Sequence, residues 1–321
     1  WKTALLGLPF GGAKGGIAVD PSSLSLAELE RLTRKYVDRI APVLGPYRDV
    51  PGPDMGTDAR VMAWVLDEYS AKRGYTPACV TGKPVALGGS AGREEATGRG
   101  VLVVMREAAR ERGLPWRGAR AVIQGFGNVG AHLARLLAEE GVRVVAVSDS
   151  RGAVVRDAGL DVAALLAHKE RAGTVAGFPG GAPLDPDALW SVPCEFAVPA
   201  AVGGVVTVEV ARRLDCRLLV EAANAPTVPE ADPVLAERGI AVVPDFLANA
   251  GGVVVSYFEW SQNLQQERWP LEEVRARLEA MMRDAYRAVS ELAAARGVAP
   301  RLAAYAIAVG RVAEAEALRG H

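Results

Sequence analysis

The sequence predicts an α/β protein with a doubly wound sheet, because one stretch has the alternation that such sheets require. An apolar run at 121–123 leads into Gly125-Phe126-Gly127-Asn128-Val129-Gly130. A helical period follows over 132–140, and a second apolar run spans 142–147. Strand, glycine turn, helix and strand in this order are typical of a parallel βαβ unit.

Later runs continue the same pattern. Short apolar segments at 196–199, 218–221 and 240–243 alternate with a helical segment at 229–238. They predict further parallel strands of the sheet. Residues 150–190 are polar and contain prolines and glycines, and only one helix is expected there, at 161–171. Apolar periodicity predicts further helices at 25–44, 60–70, 100–112 and 300–318, and over 253–296 with an interruption near Arg268–Pro270.

The glycine turn predicts a dinucleotide-binding site. Gly125 permits the tight turn, Gly127 lets the backbone approach a pyrophosphate, and Gly130 lets the helix pack close to the strand. The amides of the first helical turn, at Asn128 and Val129, would face the phosphates together with the positive end of the helix dipole. The alternative is a glycine-rich turn in an α/β protein that binds no cofactor.

An acidic residue at the end of the second run bears on the choice of cofactor. Asp149 lies 19 residues beyond Gly130 and would accept hydrogen bonds from ribose hydroxyls. An acid there disfavours a 2′-phosphate, whereas Ser150 and Arg151 directly after it could hold one. We therefore expect NAD as the cofactor and leave NADP open.

Composition excludes several classes of protein. The net charge of −1 argues against a nucleic-acid partner. The sequence contains no charge-free run of about 18 apolar residues, so no membrane span is predicted. Three scattered cysteines outside any CxxC pattern suit a reducing cytoplasm. Three histidines without metal-ligand spacing predict no metal site and disfavour histidine-based catalysis. With 321 residues, the chain is long enough for two domains.

The predicted domains follow from the glycine-rich stretch 81–100. We expect a substrate domain over 1–95 and a dinucleotide-binding domain over 96–262. The C-terminal helices over 263–321 are expected to return in part to the substrate domain.

Two loops before residue 60 contain candidate catalytic groups. Glycines flank Lys14 on both sides, which would let a ligand approach and leave the amine in a confined pocket. Only six of the 37 basic residues are lysines, and a lysine can lose its proton where an arginine cannot. Two prolines and a glycine stiffen the loop around Asp54. A solvated turn lysine and a turn-forming aspartate are the alternative interpretations.

Two asparagines follow predicted strands. Asn224 comes after the run at 218–221, and Asn249 comes after the run at 240–243. Ligands of doubly wound sheets lie beyond the carboxyl ends of the strands, so both amides are candidates for contact with cofactor or substrate. The alternative is that both only satisfy turn backbone.

These stretches together resemble the amino acid dehydrogenase family, specifically the hexameric glutamate dehydrogenases. The resemblance covers nearly the whole chain. Its motifs are Trp1-Lys-Thr-Ala-Leu5, Leu8-Pro-Phe-Gly-Gly-Ala-Lys-Gly-Gly16, Val50-Pro-Gly-Pro-Asp54, Gly82-Lys-Pro84, Gly88-Gly-Ser90, the Arg93-to-Gly98 stretch, Gly125 to Gly130, Glu221-Ala-Ala-Asn-Ala-Pro-Thr227 and Pro244 to Asn263.

The resemblance implies a Rossmann-like cofactor domain and reversible oxidative deamination of L-glutamate to 2-oxoglutarate and ammonia, with hydride passing to NAD or NADP. It implies Lys14 as the catalytic amine that activates water and Asp54 as the proton shuttle. Thr97 and Asn224 would approach the nicotinamide. It also implies a homo- or hetero-hexamer. Substrate binding is assigned by the same resemblance to Lys2, at the α-carboxylate, and to Asn249, Val253 and Ser256, which line the pocket.

Two alternatives remain at this point. The family has an earlier Gly-Pro-x-Lys-Gly-Gly-x-Arg segment that does not occur in this sequence, so the resemblance implies a substrate domain without its first part. That difference leaves open a non-catalytic regulatory subunit of a hetero-oligomer. A related leucine or phenylalanine dehydrogenase is the other alternative, and the hydroxyl of Ser256 disfavours it.

Overall fold

The structure, a computed structural model, describes residues 1–320. His321, the last residue of the expected C-terminal segment, lies outside the described residues. The described chain divides into two compact units. The first unit comprises 1–6, 94–252 and 279–320, and the second comprises 7–93 and 253–278. The division near residue 94 lies close to the expected boundary, whereas 1–6 belong to the first unit and 253–262 to the second.

A seven-stranded sheet forms the centre of the first unit, in the order β4-β3-β2-β1-β5-β6-β7. β1 pairs in parallel with β2 and β5, and the parallel pairing continues through β6 to β7. The expected doubly wound α/β architecture is confirmed. Within residues 1–320 the strands are β1 (Arg120–Gln124), β2 (Arg143–Asp149), β3 (Gly152–Val155), β4 (Ala182–Leu184), β5 (Phe196–Pro199), β6 (Leu218–Val220) and β7 (Ala241–Val243).

The edge beyond β2 differs from the expectation. Residues 150–190 were expected to contain one helix, but they also form β3 and β4, which run antiparallel to their neighbours. The sheet is therefore mixed rather than wholly parallel. The two strands are short, and β4 contains Pro183, which is tolerated because β4 is the edge strand. Local apolar periodicity carries little signal for such strands.

The long helices follow the predicted positions, with boundaries that shift by a few residues, whereas the short helices at 2–6, 208–213 and 245–248 were not predicted. Asp58 accepts a hydrogen bond from the amide of Val61 and so begins one helix, while Ser25 and Glu28 form a reciprocal capping box at another. Within residues 1–320 the α-helices are α1 (Lys2–Leu6), α2 (Leu26–Ile40), α3 (Ala59–Arg73), α4 (Ala96–Glu111), α5 (Asn128–Glu139), α6 (Val162–Ala172), α7 (Val208–Arg213), α8 (Asp232–Glu237), α9 (Asp245–Ala248), α10 (Gly251–Gln265), α11 (Leu271–Arg296) and α12 (Pro300–Leu318).

Each unit has its own apolar core. In the first unit β1 and β2 are buried along nearly their whole length, which is expected of strands covered on both faces. In the second unit α2 and α3 enclose a cluster that includes Val37, Met62, Leu66 and Tyr69. No single helix within residues 1–320 is long and apolar enough to cross a membrane. α11 and α12 meet that criterion only as a pair, with a bend of 109° between them.

Candidate active site

The glycine turn between β1 and α5 leaves space for a phosphate. Gly125 has a φ of +97°, and a Cβ at Gly130 would lie 1.9 Å from the carbonyl oxygen of Gly125. Both positions therefore require glycine. Apart from Gly127 and its two neighbours in the chain, no atom of residues 1–320 comes within 4 Å of the place where a Cβ of Gly127 would be. Because α5 begins at Asn128, its first amides face this open space, and the turn fits the pyrophosphate of a dinucleotide.

The first turn of α4 packs closely on α5, and this packing places Thr97 near the glycine turn. A Cβ at Gly98 would lie 3.0 Å from the backbone nitrogen of Leu133 and 3.2 Å from the carbonyl oxygen of Val129. The adjacent Thr97 is half-buried. The role of Thr97 as a cofactor contact stays a prediction.

The carboxylate of Asp149 is occupied by donors of the chain itself. It accepts hydrogen bonds from Lys169 Nζ at 2.6 Å, from the amides of Val175 at 2.7 Å and Arg151 at 2.9 Å, and from Thr174 Oγ1 at 3.0 Å. Burial alone would raise the pKa of Asp149, but these hydrogen bonds lower it.

The expectation that Asp149 stands ready for ribose hydroxyls therefore needs correction. Ribose hydroxyls would have to displace one of the present donors, above all Lys169. Local sequence spacing carries no sign of this, because three of the four donors come from residues 20 to 26 positions further along the chain. Ser150 and Arg151, the alternative phosphate contacts, are both exposed beside this group.

Lys2, Asn224 and Asn249 lie together in the first unit. Lys2 Nζ donates to Asn224 Oδ1 at 2.8 Å, and Asn249 Nδ2 donates to the same oxygen at 3.0 Å. Asn249 Nδ2 also donates to the carbonyl oxygen of Ala223 at 3.1 Å, so this asparagine does satisfy turn backbone in part. Its Oδ1 is buried and accepts no hydrogen bond from residues 1–320. A ligand with an N–H or O–H group would satisfy that oxygen.

α12 holds the helix that carries Lys2. Arg311 Nη1 donates to the carbonyl oxygens of Ala4 at 2.8 Å and Leu5 at 2.6 Å, at the end of α1. The rings of Trp1 and Tyr305 meet edge to face at a centroid separation of 6.4 Å. α1 is thereby fixed to the first unit, and the position of Lys2 follows from that attachment.

Lys14 and Asp54 form an ion pair in the second unit, in which Lys14 Nζ donates to Asp54 Oδ2. Asp54 Oδ1 accepts from the amide of Met55 at 2.8 Å, and the Asp54 amide donates to Thr57 Oγ1 at 2.7 Å. The loop thus fixes the carboxylate by its own hydrogen bonds. Direct contact between amine and carboxylate lets a proton pass within the pair without an intervening water.

The expected confinement of Lys14 is wrong for this structure. Its side chain is 81% exposed, and that of Asp54 is 58% exposed. Apart from the adjacent residues of the chain, no atom of the described residues comes within 4 Å of a Cβ built at Gly11, Gly12 or Gly16, whereas one at Gly15 would lie 2.8 Å from Tyr36 Oη. The flanking glycines therefore leave the amine open to solvent instead of enclosing it.

Ser256 has an arginine partner that the sequence prediction missed. Arg93 Nε donates to Ser256 Oγ at 3.1 Å, within the second unit. Burial lowers the pKa of Arg93, and the charge of Glu259 opposes that change. Ser256 is 8% exposed, and Val253, one turn earlier on α10, is half-buried. A guanidinium beside a hydroxyl is a good receptor for a carboxylate. One signal in the sequence could have identified this arginine as a site residue: Arg93 begins the Arg93-to-Gly98 motif and lies four residues before Thr97.

Metal ligands are not grouped in the described chain. Residues 1–320 contain no set of three or more histidine, cysteine, aspartate or glutamate side chains that could hold a metal ion. The polar groups of the candidate site are amines, amides, a hydroxyl, a guanidinium and carboxylates.

Comparison with known proteins gives a consistent result along the chain. Residues 88–320 match the family described as Glutamate/Leucine/Phenylalanine/Valine dehydrogenase, and residues 1–71 match its dimerisation domain. A glutamate dehydrogenase of Thermotoga maritima is 50% identical over all of this chain and 77% of its own length.

Solved structures agree with the sequence comparison. The leucine-bound hetero-hexameric glutamate dehydrogenase of Thermus thermophilus is similar with a TM-score of 0.96 and 44% identity, over 100% of this chain and 76% of that one. The glutamate dehydrogenase of Peptoniphilus asaccharolyticus is similar with a TM-score of 0.86 and 41% identity, over 99% of this chain and 77% of that one. This chain belongs to the Glu/Leu/Phe/Val dehydrogenase family of amino acid dehydrogenases, which are oxidoreductases.

Proposed function

We propose that this chain catalyses the reversible NAD(P)-dependent oxidative deamination of L-glutamate to 2-oxoglutarate and ammonia. The observation that carries the proposal is the ion pair of Lys14 with Asp54, on loops whose motifs match the family. The glutamate dehydrogenases among its relatives favour glutamate as the substrate.

The two groups divide the proton transfers. Lys14, when it is uncharged, takes a proton from the water that attacks the substrate imine, and the resulting ammonium stabilises the oxygen of the carbinolamine. Asp54 carries a proton to and from the substrate nitrogen as ammonia leaves. Their direct contact supports this division, because the proton that Lys14 takes from water can pass to Asp54 and from there to the substrate nitrogen.

The first unit supplies the cofactor contacts in this proposal. Asn128, Val129 and the three glycines of the turn bind the pyrophosphate through backbone amides and close approach. Thr97 and Asn224 lie near the nicotinamide, which accepts hydride when it is bound. Lys2 binds the substrate α-carboxylate, and the unpaired Oδ1 of Asn249 accepts a hydrogen bond from the ligand.

The direct test is oxidation of NADH and NADPH by the purified protein with 2-oxoglutarate and ammonia. The 2-oxo acids that correspond to leucine and phenylalanine are run beside it. We expect turnover that depends on both 2-oxoglutarate and ammonia. Folded protein that binds the reduced cofactor but turns over none of these substrates would contradict the proposal. A preference for an aliphatic or aromatic 2-oxo acid would reassign the chain within its family.

The contact of Arg93 with Ser256 predicts selectivity for a side-chain carboxylate. Replacing Ser256 with alanine removes the hydroxyl beside the guanidinium and leaves a side chain of similar size and shape. A hydrogen bond to a charged group contributes about 1.5–3 kcal/mol. We therefore expect Ser256→Ala to raise KM for 2-oxoglutarate about 10- to 100-fold, measured by initial rates at saturating ammonia and NADH.

The matched control uses the same variant with 4-methyl-2-oxopentanoate, which has no side-chain carboxylate. KM for that substrate should change little, and KM for NADH should also stay near the wild-type value. An equal loss with both 2-oxo acids would mean that Ser256 supports the helix α10 and does not select the substrate.

The ion pair of Lys169 with Asp149 predicts how the protein discriminates between NAD and NADP. The lysine ammonium neutralises Asp149 at the place where a 2′-phosphate would approach. We propose that NAD is preferred and that this pairing keeps NADP acceptable. Lys169→Met should leave the carboxylate of Asp149 without its cation partner, so that its charge repels the phosphate and the ratio of KM for NADPH to KM for NADH rises about tenfold. Lys72→Met, in the second unit, is the control, and an unchanged ratio in Lys169→Met would refute this role.

The second candidate function is a regulatory subunit of a hetero-hexamer. The observation in its favour is the 44% identity to a structure described as hetero-hexameric and leucine-bound. We propose a hexamer for this chain, homomeric if it is active alone. Size-exclusion chromatography with light scattering, combined with the turnover assay, separates the two. A folded oligomer that is inactive until a homologous subunit is added would favour the regulatory reading.

A further inference from the structure

Arg301, in the first turn of α12, donates hydrogen bonds to two carboxylates, and its Nη1 lies 3.8 Å from Oδ1 of a third, that of Asp245. Its Nη1 and Nη2 donate to the two oxygens of Glu221 at 2.8 and 2.7 Å, and its Nε and Nη2 donate to those of Asp232 at 2.9 and 3.0 Å. The side chain of Glu221 is fully buried. Burial would lower the pKa of Arg301, but the hydrogen bonds and charges of Glu221 and Asp232 raise it. The guanidinium is therefore held in one fixed, doubly bidentate geometry.

Glu221 connects this guanidinium to the loops after two strands. It directly follows β6, and its Oε2 also accepts a hydrogen bond from the amide of Asp245 at 2.9 Å. Asp245 follows β7 and begins α9. The buried carboxylate thus joins the carboxyl ends of β6 and β7, and Arg301 compensates its charge.

Asp245 extends the chain of hydrogen bonds to the residue beside Asn224. Its Oδ2 accepts from the amide of Ala225 at 2.8 Å. Ala225 has a φ of +43°, which is unfavourable for a residue with a Cβ and persists only where the surroundings hold it. Ala225 directly follows Asn224, whose Oδ1 meets Lys2 and Asn249.

We propose that Arg301 is a positioning residue that fixes Asn224 and Asn249 through Glu221 and Asp245. Arg301 touches neither asparagine, and it sets the loops on which they stand. This inference rests on the proposed function, in which the two asparagines contact the cofactor and substrate. It assigns to α12 a role in ligand binding.

Arg301→Lys tests the role, because lysine keeps the charge but cannot form the planar fork that holds Glu221. Two readouts are needed in the full-length protein. Hydrogen exchange of the amides in 222–225 and 245–249 should speed up. The Kd for NADH, from fluorescence titration, should rise about tenfold and kcat should fall by a similar factor, since small displacements at an active site are costly.

Two controls separate positioning from loss of stability. Asp232→Asn weakens the other half of the contact of Arg301 but leaves the link from Glu221 to Asp245, so exchange in both loops and the Kd for NADH should stay near wild type. Leu189→Ala opens the fully buried cluster beside β1 and β2 and lowers thermal stability away from these loops. It should lower the midpoint of unfolding without raising the Kd for NADH.

The outcomes distinguish this proposal from the proposed function. Unchanged exchange in the two loops of Arg301→Lys would overturn the positioning role, and so would faster exchange with an unchanged Kd for NADH. Wild-type protein that binds NADH without turnover would contradict the proposed function, while exchange and Kd would still decide the role of Arg301. If the wild type bound no NADH, faster loop exchange confined to Arg301→Lys would support the positioning step, and its absence would refute it.

Discussion

Lys14→Ala is expected to lower kcat by about 10³-fold or more while leaving the Kd for NADH unchanged. The amine is the group that activates water in the proposed mechanism. The glycine-rich motif around Lys14 contains no other lysine or histidine that could replace the amine. The glycine turn that is proposed to bind the cofactor belongs to the other unit of the chain and is not altered by the change. Steady-state kinetics with 2-oxoglutarate, ammonia and NADH, beside a fluorescence titration with NADH, measures both quantities.

Lys35→Ala is the matched control, because Lys35 is also an exposed lysine in an ion pair within the second unit. It should retain kcat, since its partner Asp38 lies on α2 and not on a candidate loop. Asp54→Asn should resemble Lys14→Ala in kcat, and the double variant should lose little more than either single variant, because residues that act as one unit are not additive. Retained turnover in Lys14→Ala would exclude the amine from the chemistry.

The features that the sequence predicted well are those that depend on local chain geometry. The unit β1–α5–β2 was predicted from its apolar runs and glycines. The requirement for glycine at 130 arises from the oxygen of Gly125, only five residues away. The capping box at the start of the helix expected at 25–44 is equally local, because Ser25 and Glu28 are only three positions apart. In such cases the interacting groups are neighbours in the sequence, and spacing alone carries the information.

The features that the sequence did not predict depend on groups brought together by tertiary structure. Asp149 was expected to be available, but Lys169 and the turn at 174–175 occupy it. Arg93 is separated from Ser256 by 163 positions. Lys14 was expected to be enclosed because glycines flank it, yet enclosure depends on which other segments cover the loop. Strand β3 forms because β2 offers it an edge, and its four residues are too few for a clear period.

The other large effect is expected at the buried ion pair of Lys83 with Glu259, both of whose side chains are 0% exposed. Glu259 accepts from Lys83 Nζ at 2.6 Å and from the amides of Gly82 at 2.9 Å and Lys83 at 3.2 Å. Lys83 Nζ also donates to the carbonyl oxygen of Val80 at 2.6 Å. Removing one partner leaves the charge of the other buried and unpaired. Glu259→Leu should therefore cost about 3–5 kcal/mol in the free energy of unfolding, measured by urea denaturation.

The double variant Lys83→Met with Glu259→Leu separates the charge from the hydrogen bonds. Replacing both partners by apolar groups removes the stranded charge, so most of the lost stability should return. The amides of Gly82 and Lys83 would still lose their acceptor. Because a Cβ at Gly82 would lie 2.5 Å from Pro53 Cδ, this loop packs tightly against the residue that precedes Asp54. We expect the double variant to regain stability but to keep a lowered kcat. Equal recovery of both would mean that the pair stabilises the second unit without positioning Asp54.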